Sequence, residues 1–178
     1  QCVRIAQMSF PAGIIETLHH EAHPPLYYML QHFWMLVVGQ TDFRVRLLSA
    51  LSGVLTIPLL FWVGRRLFNP WAGLGAALVG AVSPLHIALS QSARGYTWLA
   101  FCSLASVWLL VEAWEHGGRL RWAGYVIATA AAMYTHNWGL FLVVAQNGFA
   151  LWQLIRRREW KRRLLPWIIA QGSVGLLY

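Results

Sequence analysis

Residues 47–64 read LLSALSGVLTIPLLFWVG, with no charged side chain between Arg46 and Arg65. Lengthened by Phe43 to Arg46, the run reaches the ~20 residues that a helix needs to cross a hydrocarbon core of ~30 Å. Trp71 to Leu89 and Tyr96 to Trp114 satisfy the same requirement. The stretch from Trp122 to Ile155 is too long for one crossing and is interrupted by Thr135-His136-Asn137, so two crossings joined by a very tight turn are expected, the first of them short.

Composition agrees with a membrane solvent. Apolar residues make up 58% of the 178-residue chain, charged residues only 11%, and eleven residues are tryptophan, whereas a soluble domain carries about 25% charged residues. The net charge of +8 does not mark a nucleic-acid partner. Its basic residues fall in short clusters between apolar runs, a topology signal, and not along one polar stripe. Cys102 lies inside an apolar segment, so Cys2 and Cys102 do not suggest a disulfide framework. With no initiator Met, no signal-type leader and a last apolar run stopping at Tyr178, the chain reads as a fragment of a longer polytopic protein.

The run Leu26 to Gly39 behaves differently. At 1.5 Å per residue it covers only about 21 Å, too little to span. A helix lying at the interface, started by Pro24-Pro25 and anchored by Tyr27, Tyr28 and Trp34, fits better. The expected organisation is therefore all-α: residues 1–42 a partial first extracytoplasmic loop with a juxtamembrane helix, and residues 43–178 a bundle of about six transmembrane helices, the last truncated.

Charge orients this bundle. Arg65-Arg66, Arg119 with Arg121, and RRREWKRR at 156–163 hold ten of the fourteen basic residues, and such clusters mark cytoplasmic loops. The HPP stretch near His23, the SQSARG turn at 90–95 and the THN break then share the opposite membrane face. Polar side chains at helix ends on one face make a place where a lipid phosphate could be handled.

Each candidate has a plainer alternative. His19, His20, Glu21 and His23 sit close in sequence, and His136 is expected on the same face, so a divalent metal with Glu21 and His136 among its ligands is one option. The spacing matches no strong ligand signature, and solvated interfacial imidazoles are the other option. His86 reads as a polar seam beside Pro84, and His32 and His116 as interface or loop residues. Arg94 precedes a helix start and suits an anion, against the alternative of a snorkelling headgroup anchor. Asp42 reads as an N-terminal cap or a partner for Arg46. A transporter or lipid flippase is the principal alternative function, but it should show an internal repeat with breaks near the midplane, and no repeat is visible.

Four stretches in order carry a resemblance: HPPLYYML at 23–30, FRVRLLSALSGVLTIPLLFWVGRRLF at 43–68, SPLHIALSQSARGYTW at 83–98 and YTHNWGLFLV at 134–143. Together they resemble the GT-C superfamily of integral-membrane glycosyltransferases. Within it they are most similar to the bacterial group related to dolichyl-phosphate-mannose protein mannosyltransferases and lipid A aminoarabinose transferases. The resemblance implies transfer of a sugar from a polyprenyl-phosphate donor to a lipid, glycan or protein acceptor, at the outer face of the bacterial cytoplasmic membrane. It places His23, Arg94 and Tyr96 near the donor phosphate and lets His136 face the same cavity. It also implies a catalytic Asp-Glu pair in the first loop, expected ahead of Gln1, so neither Glu16 nor Glu21 is given that role, and the fragment alone is expected to be inactive. Oligosaccharyltransferase relatives hold acidic metal ligands in the second loop, whereas SQSARGY has none, so the resemblance does not carry their metal requirement over to this chain and leaves a divalent metal as an option.

Overall fold

A computed structural model describes residues 2–8, 24–157 and 160–178. Among these residues the protein is all-helical. The order is α1 (Cys2–Ala6), α2 (Leu26–Val38), α3 (Asp42–Leu67), α4 (Pro70–Val82), α5 (Pro84–Ser90), α6 (Tyr96–His116), α7 (Arg119–Thr135), α8 (Gly139–Arg157) and α9 (Trp160–Leu177).

Helix starts and stops follow local chemistry. Asn69 accepts the Ala72 N–H with its side chain while Pro70 occupies the first turn of α4, a position where a missing N–H costs nothing. Ser83 repeats the device for α5, accepting from the His86 N–H ahead of Pro84. Arg65 and Arg66 close α3 where the helix dipole favours cations. Asp42 is neither a cap nor Arg46's partner: Thr41 is the N-cap, Asp42 lies in the first turn and its carboxylate makes no ion pair among the described residues. Its charge still favours the helix start.

The expected crossing at 71–89 is broken. α4 and α5 are bent by 60° at Ser83, because the serine leaves helical geometry to cap α5 and Pro84 has no N–H to continue α4. By length and composition, α3 and α6 can each cross a membrane among the described residues, and the bent pair can add a third span. The remaining expected crossings are shorter or more polar. α7 has 17 residues, and α8 carries Gln146, Asn147 and Gln153 within its apolar run.

Burial shows why these helices prefer lipid. Ser49, Ser52 and Thr56 of α3 are buried, while Leu51, Val54, Leu55 and Trp62 of the same helix are exposed. A water-soluble helix has the opposite arrangement. The buried hydroxyls need partners because none is available from hydrocarbon. A directed chain of hydrogen bonds ties α6 to α9 in the same way. Gln171 Nε2 donates to Tyr125 Oη at 2.8 Å, Tyr125 to Gln146 Oε1 at 3.2 Å, and Gln146 Nε2 to Ser106 Oγ at 2.8 Å. Ser106 then donates to Thr129 Oγ1 at 2.6 Å and Thr129 to the Tyr125 carbonyl at 2.7 Å. Beside it, Leu110, Trp114, Tyr125, Ala150 and Ala170 form the main apolar core.

The two ends of the bundle differ in chemistry. At one end, Arg66 binds Glu112 at 2.9 Å and Glu115 at 2.6 Å, joining the C-termini of α3 and α6, and His116 lies 3.1 Å from Glu112. Arg119 begins α7 at this end. At the other end lie the starts of α3 and α6 and the α7–α8 turn. α6 alone separates Tyr96 from His116 by ~30 Å, the thickness of a hydrocarbon core.

Candidate functional site at the three-segment junction

α2 is held against α3 by three side chains about one turn apart. Tyr27 Oη lies 2.7 Å from Ser49 Oγ, Gln31 Nε2 donates to the Val45 carbonyl at 2.9 Å, and Trp34 Nε1 to the Arg44 carbonyl at 2.8 Å. On its other side, His32 Nδ1 lies 2.7 Å from the Ala6 carbonyl. α2 spans 13 residues, about 20 Å, which agrees with the expected short helix.

Tyr27 fixes more than α2. Ser49 Oγ donates to the Arg94 carbonyl at 3.2 Å, so its single proton is committed there and it accepts from Tyr27. Thr97 Oγ1 donates to the Ser49 carbonyl at 3.0 Å, and the Ser52 hydroxyl sits 3.0 Å from Thr97. These contacts clamp the start of α6 to α3, with Arg94 at the corner.

Gly95 is where the three segments meet. A Cβ added there would lie 3.0 and 3.1 Å from Tyr27 side-chain carbons and 3.2 Å from Thr135 Cγ2. The residue after it, Tyr96, packs against His136 with ring centroids 5.8 Å apart. His136 in turn faces the exposed Trp138 ring at 5.2 Å. The Trp138 N–H donates to His136 Nδ1 at 3.1 Å, an acceptor role that places the proton of the neutral imidazole on Nε2. The turn closes when Gly139 N–H bonds the His136 carbonyl at 2.8 Å.

The structure thus brings Arg94, Tyr96 and His136 to one end of the bundle, beside the helix that follows the double proline. Arg94 presents an exposed guanidinium with no ion pair or hydrogen bond in the described structure. His23 and Glu21, and with them His19, His20 and Glu16, lie outside the described residues. Among the described residues, no group of three His, Cys, Asp or Glu side chains is placed to hold a metal. His86 contacts the Gly53 carbonyl at 3.1 Å, which places it in the seam between α3 and α5.

Sequence reasoning missed Tyr27, Ser49, Ser52 and Thr97 as the residues that set this corner. The signal was present: Ser49, Ser52 and Thr56 recur at helical spacing inside an otherwise apolar run, and a polar stripe in a spanning segment must face protein.

Apolar helices with small polar residues inside and a polar junction at one end define an integral-membrane protein. The chain belongs to the dolichyl-phosphate-mannose-protein mannosyltransferase family, whose model matches residues 22–177. It is 30% identical over 56% of its length to the mannosyltransferase-like protein YkcB of Bacillus subtilis (strain 168), covering 14% of that protein. It is 29% identical over 75% of its length to undecaprenyl phosphate-alpha-4-amino-4-deoxy-L-arabinose arabinosyl transferase 2 of Pseudomonas fluorescens (strain Pf0-1), covering 26%. Transferase 1 of the same name, from strain ATCC BAA-477 / NRRL B-23932 / Pf-5, is 27% identical over 82% of the chain, with 27% covered. The chain therefore spans about a quarter or less of the length of these curated relatives. No solved structure matches it.

Proposed function

We propose that this chain is the donor-side part of a multi-pass glycosyltransferase of the bacterial cytoplasmic membrane, moving a sugar from a polyprenyl-phosphate carrier to an acceptor at the outer face. The observation that supports this reading most is the convergence of the α2, Arg94–Tyr96 and His136 segments at Gly95, next to the exposed Arg94, whose side chain makes no ion pair among the described residues. Two relatives named for undecaprenyl phosphate-linked aminoarabinose agree with a lipid-phosphate donor.

In this scheme Arg94 meets the donor phosphate and stabilises charge that grows as the sugar leaves. Tyr96 and His136, whose rings pack 5.8 Å apart, line the same site, and His23 belongs beside them. α2 lies along the outer surface as a juxtamembrane helix, and α3, α4–α5, α6, α7, α8 and α9 form the polytopic bundle. The acceptor is deprotonated or hydrogen-bonded by a carboxylate. Glu112 and Glu115 cannot serve, being held by Arg66 at the opposite end.

The whole reaction is tested with the full-length protein in liposomes carrying undecaprenyl-phosphate-linked sugars. Transfer from at least one such donor is expected, and failure with every lipid-linked donor alongside active nucleotide-sugar transfer would overturn the assignment. Orientation is tested by single cysteines in a background from which every native cysteine, Cys2 and Cys102 among them, has been removed. Ser92→Cys should react with an impermeant maleimide in intact spheroplasts, and Gly118→Cys only after lysis; the reverse pattern inverts the topology.

A further inference from the structure

At the end of the bundle away from the three-segment junction, a groove of about 840 Å³ opens between α7 and α9. Ala123, Val126 and Ile127 line one side, and Leu165, Ile169 and Ala170 the other. The α6–α7 loop forms its mouth, with Gly117, Gly118 and Arg119 at the rim. The lining residues extend from Arg119 to Ile127 on α7 and from Leu165 to Ser173 on α9. That is about 12 Å on each helix, most of the ~15 Å depth of one leaflet.

Among the described residues, the cations at the mouth are not all matched by acidic partners. Arg66 and His116 are engaged by Glu112 and Glu115. Arg121 Nη1 donates to the Gly117 carbonyl at 3.1 Å. Arg119, exposed at the rim, makes no ion pair or hydrogen bond in the described structure. An apolar trough one leaflet deep with a cation at its surface end is complementary to a molecule with an acyl chain and an anionic head. A soluble anion would leave the apolar walls wet, and a zwitterionic lipid, whose own ammonium offsets its phosphate, would bring no net negative charge to Arg119.

We infer that this groove binds one anionic phospholipid from the leaflet on the Arg119 side, its phosphate at Arg119 and an acyl chain between α7 and α9. The site is separate from the sugar-transfer junction and stands or falls independently of it.

The test is native mass spectrometry of the full-length protein released from nanodiscs of mixed phosphatidylglycerol and phosphatidylcholine. One phosphatidylglycerol should be retained over phosphatidylcholine by about five-fold. Arg119→Gln, a change at an exposed side chain, should bring the two lipids to near parity. Ala123→Trp, which fills the groove from an exposed wall position, should expel both. Equal retention of the two lipids by the unmodified protein would overturn the inference. So would phosphatidylglycerol retention that survives both substitutions, or no retained lipid at all, the result expected if another segment of the full-length protein covers the groove.

Discussion

In the full-length protein, Arg94→Ala is expected to lower sugar transfer by roughly 10²–10³-fold, the usual consequence of removing one preorganised group from developing negative charge. Membrane insertion and expression should be unchanged, because the side chain is exposed and makes no hydrogen bond or ion pair among the described residues. It is the Arg94 carbonyl that the fold uses, through Ser49, and alanine keeps that carbonyl. Lysine at the same position should recover part of the rate: it restores a point charge but not the planar fork that grips two phosphate oxygens. Turnover of Arg94→Ala at the parental rate would reduce this residue to a headgroup anchor.

The second large effect is steric. Gly95→Leu should abolish transfer, because its Cβ would already press on Tyr27 and Thr135 and the branched remainder of the side chain adds bulk beyond that contact. Overpacking of this kind costs about 1–3 kcal/mol, and a shift of ~1 Å in a positioned group can cost ~10² in rate. Gly95→Ala should show a milder loss, since contacts of 3.0 to 3.2 Å need only small displacements. Combining it with Thr135→Ser, which deletes the Cγ2 methyl, should restore part of the activity. If Gly95→Leu transferred sugar normally, the three segments would not need their present spacing.

Much of this architecture was legible because the relevant physics is local. Run length separated α2 from the spanning helices, and the THN break fell where α7 gives way to α8. The gathering of the HPP, SQSARGY and THN stretches was expected from charge alternation, and the contacts of Tyr27, Gly95 and Thr135 supply its geometry. The α4–α5 bend was not anticipated, although Ser83-Pro84 is a helix-start signature. An apolar run of nineteen residues, Trp71 to Leu89, looked like one crossing, and the hydrophobic signal outweighed the capping signal. The clamp of Ser49, Ser52 and Thr97 was hidden for another reason. Hydroxyls within an apolar run can bond back to their own helix, as Thr56 does to the Ser52 carbonyl at 2.8 Å, and sequence alone does not separate that use from a contact between helices.

The directed hydrogen-bond chain through Ser106, Thr129, Tyr125, Gln146 and Gln171 also bears on biogenesis. Ser106 and Thr129 satisfy one another once the α6–α7 hairpin exists. Gln146 of α8 needs Ser106 and Tyr125 already side by side, and Gln171 of α9 then adds its N–H to the same tyrosine. In the proposed polytopic arrangement, each helix leaving the insertion machinery therefore finds its polar partners on helices made before it. The order of synthesis is also the order in which the bundle can be completed without stranding an amide in lipid.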